Sequence, residues 1–330
     1  MNALLEIDNL VVHLPVRGEL RPVLRGIDLR LDAGEALGLV GESGSGKSMT
    51  VRAIDRLLPP GAAASGSIRF DGKEVAALRG NELRQFRRDV SMVFQDPQSH
   101  INPVRRIGDF MTEAVVSHGA MSRGDATALA IELLGAVRIG NPAEQLERYP
   151  HELSGGMLQR VMIATALMGS PRLLLADEPT TALDVTTQAE VMGILDDLRR
   201  ERGLAMMFIT HDLELAAAVC DRTAVMYAGQ MVEINSSRHI EHDPLHPYTA
   251  ALLRSRPRID VTLERLEAIP GQPLSPFEAP AGACAFADRC VYAVDSCRAG
   301  APQLRPIDGG ATRCGRVEEL RGVLKGVNDV

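Results

Sequence analysis

Eight consecutive residues constrain this chain more than any others: Gly41-Glu42-Ser43-Gly44-Ser45-Gly46-Lys47-Ser48. They fit G-x-x-x-x-G-K-[ST], a pattern that carries meaning between a strand and a helix. Both are predicted here, an apolar strand over Ala36–Val40 and a helix over residues 47–58 that Pro59-Pro60 stops. Glycines let successive N–H groups turn inward onto phosphate oxygens, and the helix N-terminus adds partial positive charge. Lys47 then reaches the β- and γ-phosphates, and the Ser48 hydroxyl is a ligand for Mg²⁺. The competing reading, a glycine-rich turn that binds nothing, leaves this context unexplained.

A second half-site lies at Leu173-Leu174-Leu175-Ala176-Asp177-Glu178, where an apolar strand ends in two carboxylates. Asp177 suits Mg²⁺, held through water, and Glu178 suits the polarisation of an attacking water. An isolated acidic pair at a strand end is usually a solvated terminus. Beside a phosphate loop it reads as catalytic.

Composition removes other classes. Asp+Glu 43 against Lys+Arg 36 gives net charge −7, which disfavours general attraction to nucleic acid or anionic lipid. Trp 0, Tyr 4 and Phe 7 leave little material for stacking single-stranded bases. No apolar run reaches the roughly eighteen residues of a membrane span, and Glu6 and Asp8 stand where a signal peptide is basic and apolar. The expectation is a cytoplasmic chain.

Residues 4–14 and 27–31 alternate apolar and polar, with Pro15, Gly18 and Pro22 between them, so two antiparallel strands joined by a loop are predicted. Residues 66–70 followed by Asp71-Gly72 read as a hairpin, and residues 83–94 lead into a proline-containing loop over 95–103. Over 109–146 the apolar spacing, notably Ile131, Leu134 and Val137, predicts a helical insert. Strands over 173–176, 205–209 and 223–227 alternate with helices over 187–200 and 213–220, the pattern of a parallel sheet flanked by helices. Beyond Glu233 the texture turns to loops rich in His, Pro and Gly, with a helical piece over 248–253.

These residues now reach a resemblance. Leu153-Ser154-Gly155-Gly156-Met157-Leu158-Gln159-Arg160 is similar to the LSGGQ signature of ATP-binding-cassette (ABC) ATPases. Phe94-Gln95-Asp96-Pro97 resembles that family's Q-loop, Ala182-Leu183-Asp184 its D-loop, and Thr210-His211-Asp212 its switch histidine. With the glycine loop and the acidic strand, six motifs stand in the family's order. The resemblance implies an α/β P-loop cassette: a RecA-like mixed-sheet core, an antiparallel β subdomain and a helical subdomain over about 96–168, with a loop-rich C-terminal extension. The cassette spans 1–235 and the extension 236–330.

The resemblance also implies site roles. ATP is held by Gly41, Glu42, Ser43, Gly44, Ser45, Gly46, Lys47, Ser48, Met49 and Thr50, and Mg²⁺ by Ser48, Gln95 and Asp177. Glu178 is the general base, His211 holds the γ-phosphate, and Gln95 contacts Mg²⁺ and the water. Two cassettes pack head to tail, so Ser154, Gly155, Gly156, Gln159 and Asp184 contact the partner's ATP. Where many cassettes place an aromatic against adenine, this chain has Leu14 beside His13.

The Q-loop continuation Ile101-Asn102-Pro103, with His246-Pro247-Tyr248-Thr249 and Ile269-Pro270-Gly271-Gln272-Pro273, resembles the ATPases of oligopeptide/dipeptide importers. That implies a motor for uptake of peptides or a related small solute. It would sit on the cytoplasmic face of the inner membrane with a second ATPase subunit, two integral-membrane permeases and an extracytoplasmic solute-binding protein, and without nucleic acid. A soluble ABC protein of DNA repair or translation, and a cytosolic P-loop kinase, are the alternatives. The first usually carries a coiled coil or two cassettes, and the second needs no LSGG stretch.

Four of the five cysteines, Cys284, Cys290, Cys297 and Cys314, gather in the extension. In a cytosolic chain this suggests metal before disulfide. Their spacing matches neither short zinc patterns nor the C-x₂-C-x₂-C ferredoxin run, so a [4Fe–4S] cluster, Zn²⁺ and free thiols all stay open. Some members of the importer subfamily resemble this pattern and bind a [4Fe–4S] cluster. His239, His242 and His246 read as surface-loop histidines, and Cys220 and Met206-Met207 as core.

Overall fold

The computed structural model of the protein describes residues 3–180, 183–255 and 268–324. The chain forms two compact units. The first gathers Met1–Leu31, Ala36–Ala77 and Ile209–Val330, and the second Asp32–Glu35 and Leu78–Phe208.

An antiparallel sheet opens the first unit, with strands in the order Glu19–Leu31, Leu5–Val16, Ala63–Phe70, Lys73–Glu74. The opening hairpin is longer than its sequence predicts. Arg17 and Gly18, at φ 52° and 86°, close it in two residues, and the proline-rich stretch continues the strands. Pro22 pairs with His13, which is tolerated because Glu19–Leu31 is the edge strand. Asp71 and Gly72, at φ 51° and 74°, make the predicted second turn.

The unit's second sheet has the order Arg305–Ile307, Gly310–Thr312, Gln230–Ser236, Arg222–Tyr227, Ala36–Val40. Ala36–Val40, buried throughout, runs parallel to Arg222–Tyr227, and the remaining neighbours are antiparallel. Two features here differ from the sequence expectation. Gln230–Ser236 is a strand carrying the chain across residue 235, and residues 305–312 return to extend the same sheet, pairing Glu233 with Thr312. The runs over 305–307 and 310–312 are too short to show alternation, so backbone pairing rather than pattern defines them. Leu245, Ala250, Cys314, Val317, Leu320 and Leu324 form a buried cluster under this edge.

In the second unit strands lie in the order Ala205–Thr210, Leu173–Asp177, Val90–Val93, the last two parallel. Ala205–Thr210 and Leu173–Asp177 are buried at every position, including Met206 and Met207, which explains their unbroken apolar sequence. The helical insert is present as Ile107–Ser117, Arg123–Ala136 and Pro142–Leu146, with Gly155–Leu167 beyond it. Leu133, Leu134, Val161 and Ile163 are fully buried there.

The helix after the glycine loop runs over Lys47–Ile54, shorter than the predicted 47–58. Arg56 takes φ 58°, and the N–H groups of Arg56 and Leu57 donate to the carbonyls of Ala53 and Arg52. This left-handed cap ends the helix before the prolines are reached.

Candidate active site

Two glycines build the phosphate loop by what they lack. A Cβ on Gly41 would stand 2.3 Å from the Met226 carbonyl oxygen. Gly46, at φ 111°, precedes the helix where a Cβ would meet Leu24 Cδ2 at 2.8 Å. The loop therefore rests directly on neighbouring backbone and core. Lys47 is 4% exposed, and its Nζ donates to the carbonyl oxygens of Gly41 at 2.8 Å and Glu42 at 3.1 Å. Ser45 Oγ is buried with no hydrogen-bond partner among the described residues, a cost that a phosphate oxygen would remove. Ser43 and Gly44 are exposed, Ser48 and Met49 half-buried, and Thr50 turns its hydroxyl back to the Gly46 carbonyl at 3.2 Å. Glu42 gives its N–H to Tyr248 Oη at 3.0 Å, and Ser45 gives its N–H to the Glu42 carbonyl at 3.2 Å, so these loop N–H groups already have protein acceptors. Leu14 is half-buried and pairs with Arg21 in the opening hairpin.

In the same unit His211 is exposed, between the end of Ala205–Thr210 and the helix Leu213–Val219. Asp212 caps that helix by accepting from Glu214 and Leu215 N–H. This fixes the corner on which His211 stands.

The second unit brings Gln95 and Glu178 together, with Gln95 Nε2 donating to Glu178 Oε2 at 3.1 Å. Asp177, 4% exposed, ends its buried strand, and Glu178 follows at φ 45°, left-handed backbone that a glutamate seldom adopts. This backbone takes Glu178 out of the strand that ends at Asp177.

Ser154 caps the helix Gly155–Leu167, accepting from Met157 N–H at 3.3 Å, and leaves Ser154 and Gly155 exposed at the helix start. Such an end attracts anions. A Cβ at Gly156 would lie 2.9 Å from Thr187 Cγ2, so this glycine seats the helix against its neighbour. Gln159 is 2% exposed and faces the interior of the unit. Asp184 caps the helix Val185–Arg202. The N–H and hydroxyl of Thr187 hold its carboxyl below the usual range. Ala182 lies outside the described residues.

The four extension cysteines line one cavity of about 310 Å³, with His246, Phe286 and Arg316. Cys284 N–H donates to the Cys297 carbonyl at 2.9 Å, which ties two of the cysteine-bearing turns together. Burial raises the thiols of Cys284 and Cys290 and pushes Cys314 up to about 11. Among the described residues no three His, Cys, Asp or Glu groups stand in a metal-ligating arrangement, and Cys284, Cys290, Cys297 and Cys314 form no disulfide. His246 departs from its expected surface position. It is 2% exposed and caps the helix Pro247–Arg254, its Nδ1 accepting Tyr248 N–H at 3.1 Å. The signal was Pro247, a residue favoured just inside a helix start.

Sequence reasoning missed Arg289. Its guanidinium, 6% exposed, pairs with Glu42 through two hydrogen bonds, at 2.7 and 3.0 Å. Burial works against its charge, but the hydrogen bonds to Glu42 and Tyr227 outweigh this and raise its pKa. No short-range pattern links residues this far apart in the chain.

Residues 24–181 match the ABC transporter family, and residues 232–297 match the oligopeptide/dipeptide transporter C-terminal region. The oligopeptide transport ATP-binding protein OppD of Haemophilus influenzae is 42% identical over 95% of this chain and 97% of its own length. OppD of Bacillus subtilis is 45% identical over 88% of this chain and 82% of its own. Among solved structures, the dimeric ATP-binding cassette MJ0796, in a post-hydrolysis state with ADP and Pi, aligns with TM-score 0.63 and 29% identity over 71% of this chain and 99% of that one. The chain belongs to the ABC transporter ATP-binding proteins, the ATPases of these transporters, in the branch that carries the oligopeptide/dipeptide transporter C-terminal region.

Proposed function

We propose that this chain hydrolyses ATP to drive uptake of di- or oligopeptides, or a related small solute, through separate membrane permeases. The observation that carries the catalytic part is the Gln95–Glu178 contact, with Glu178 turned out of its strand at φ 45°. Glu178 takes a proton from water as the water oxygen attacks the γ-phosphorus, the bond to the β-phosphate oxygen breaks, and ADP leaves. Gln95 orients that water, and His211 holds the γ-phosphate. Amides of the loop 41–48 other than that of Glu42, with Lys47 and the Ser45 hydroxyl, bind the phosphates. Ser48, Gln95 and Asp177 are the residues that would hold Mg²⁺, whose charge offsets that developing on the phosphate oxygens.

The exposed capped helix start at Ser154 and Gly155 is suited to the γ-phosphate of a second cassette's ATP, with Gly156 and Asp184 near that boundary. Gln159, buried, would act there through packing. The alignment to a dimeric cassette favours such a pair. Full-length similarity to oligopeptide transport proteins favours the transport reading over a DNA-repair or translation ATPase, and supports a complex with permeases and a solute-binding protein. Among the described residues no helix is long and apolar enough to cross a membrane, so attachment to the cytoplasmic face would run through those permeases.

The cysteine cavity is our proposed site for a [4Fe–4S] cluster, with Zn²⁺ as the competing occupant. The fit rests on the donor set, four thiols around one cavity. Bound there, the cluster would cross-link a loop-rich segment. Because burial keeps Cys284, Cys290 and Cys314 protonated, loading requires loss of their protons.

The test is ATP-dependent uptake of labelled peptides by vesicles containing the assembled transporter. Peptide-stimulated hydrolysis and accumulation are expected; hydrolysis indifferent to every peptide would remove the peptide assignment. Iron and sulfide analysis of anaerobically purified protein decides the cavity's occupant, and colourless, iron-free protein would remove the cluster.

A further inference from the structure

One ion pair joins the phosphate loop to the cysteine-bearing segment. Arg289 directly precedes Cys290 and reaches Glu42, the second residue of the loop. Nη1 donates to Glu42 Oε2 at 2.7 Å and Nη2 to Oε1 at 3.0 Å, a two-pronged match of guanidinium to carboxylate. Nε donates to the Pro270 carbonyl at 2.8 Å, and the guanidinium lies 5.7 Å from the Tyr227 ring centre and 5.9 Å from that of Phe286. Tyr227, Tyr248 and Phe286 pack on one another with ring centres 4.7 to 5.3 Å apart. In a chain this poor in aromatics, such a wall fixes the arginine before any ligand arrives.

Glu42 in turn shapes the loop. Its carbonyl accepts from Lys47 Nζ at 3.1 Å and from Ser45 N–H at 3.2 Å, while its N–H donates to Tyr248 Oη at 3.0 Å. Side chain, carbonyl and N–H are thus all committed within the protein. This glutamate acts as a strut of the loop and is tied to the residues that meet phosphate.

We propose that Arg289 is a positioning residue for nucleotide binding: it clamps the Glu42 carboxylate and so presets the loop and Lys47 to receive the β- and γ-phosphates. This rests on the reading of residues 41–48 as the ATP loop. The role is one of pre-organisation, so its loss weakens binding more than turnover. Lysine at 289 retains the charge but has no planar fork, and restores part of the effect.

The experiment measures ATP dependence of hydrolysis, with melting temperature, in the assembled transporter carrying Arg289→Ala, Arg289→Lys, Glu42→Gln, and Glu42→Gln with Arg289→Ala. Arg289→Ala is expected to raise KM for ATP about tenfold, with kcat changed less than about twofold. Arg289→Lys should raise KM roughly threefold, and Arg289→Ala should add less than about twofold in the Glu42→Gln background. A wild-type KM in Arg289→Ala, or an undiminished tenfold effect without the Glu42 carboxylate, overturns the clamp. If Arg289→Ala does not assemble, Arg289→Lys decides, and a wild-type KM there is the contrary result. Lys47→Ala separates the two levels: full ATP binding in that variant would defeat the loop reading itself, whereas lost binding there with unmoved KM at Arg289 would defeat the clamp alone.

Discussion

The glycine loop and the cysteine cavity, the two places where we propose a bound group, are assembled in opposite ways. Eight adjacent residues make the loop, where backbone N–H groups, a helix end and Lys47 arrive by local geometry. The cavity collects side chains spread from Cys284 to Cys314, and through His246 back to the helix Pro247–Arg254. A local site is fixed by chain conformation and tolerates change elsewhere. A dispersed site depends on the fold around it. Arg289, standing on the cavity's segment and gripping the loop, makes the local site depend in part on the dispersed one.

The largest break comes inside the loop. Lys47→Ala should lower ATP hydrolysis by the assembled transporter by roughly a hundredfold or more while leaving the melting temperature nearly unchanged. A large drop in melting temperature would mean that the loop is not locally fixed. Cys297→Ser should act in the opposite sense. With the proposed cluster in the cavity, this substitution removes the iron and lowers melting by several degrees, with hydrolysis reduced by less than about fivefold. Iron analysis, calorimetry and an ATPase assay check this.

Tyr248→Phe sharpens the link between the regions. It deletes the acceptor for Glu42 N–H and should cost about 1 kcal/mol in unfolding free energy, read by denaturant titration. A separate effect concerns pH. Glu233, fully buried on Gln230–Ser236, accepts from the N–H groups of Leu245 and His246, and burial pushes its carboxyl up to about 7. The folded state therefore holds a proton that the unfolded state releases near its ordinary value of 4.5. That stabilisation is complete below 4.5 and is lost as pH rises to 7. Melting followed from pH 5 to 8 should fall more steeply in the wild type than in Glu233→Gln, and equal slopes would refute the assignment.

The legible parts of the fold were those whose signal is local. The buried strands Ala36–Val40, Leu173–Asp177 and Ala205–Thr210 announce themselves as apolar runs, and Asp71-Gly72 as a turn. At the site, the loop, the carboxylates and the capped helix at Ser154 were legible because each motif is contiguous. Three things were not. Residues 305–312 become strands by pairing with Gln230–Ser236, a partnership their sequence does not encode. His246 is buried by packing rather than by its own polarity. The Arg289–Glu42 pair spans two segments that meet only in the folded unit.

The central claim is that Glu178, turned out of its strand beside Gln95, is the base for ATP hydrolysis. The direct measurement is single-turnover hydrolysis of radiolabelled ATP by the assembled transporter with Glu178→Gln, alongside ATP binding. The account predicts near wild-type ATP binding with hydrolysis slowed by about a hundredfold or more. Hydrolysis at the wild-type rate in that variant would contradict it.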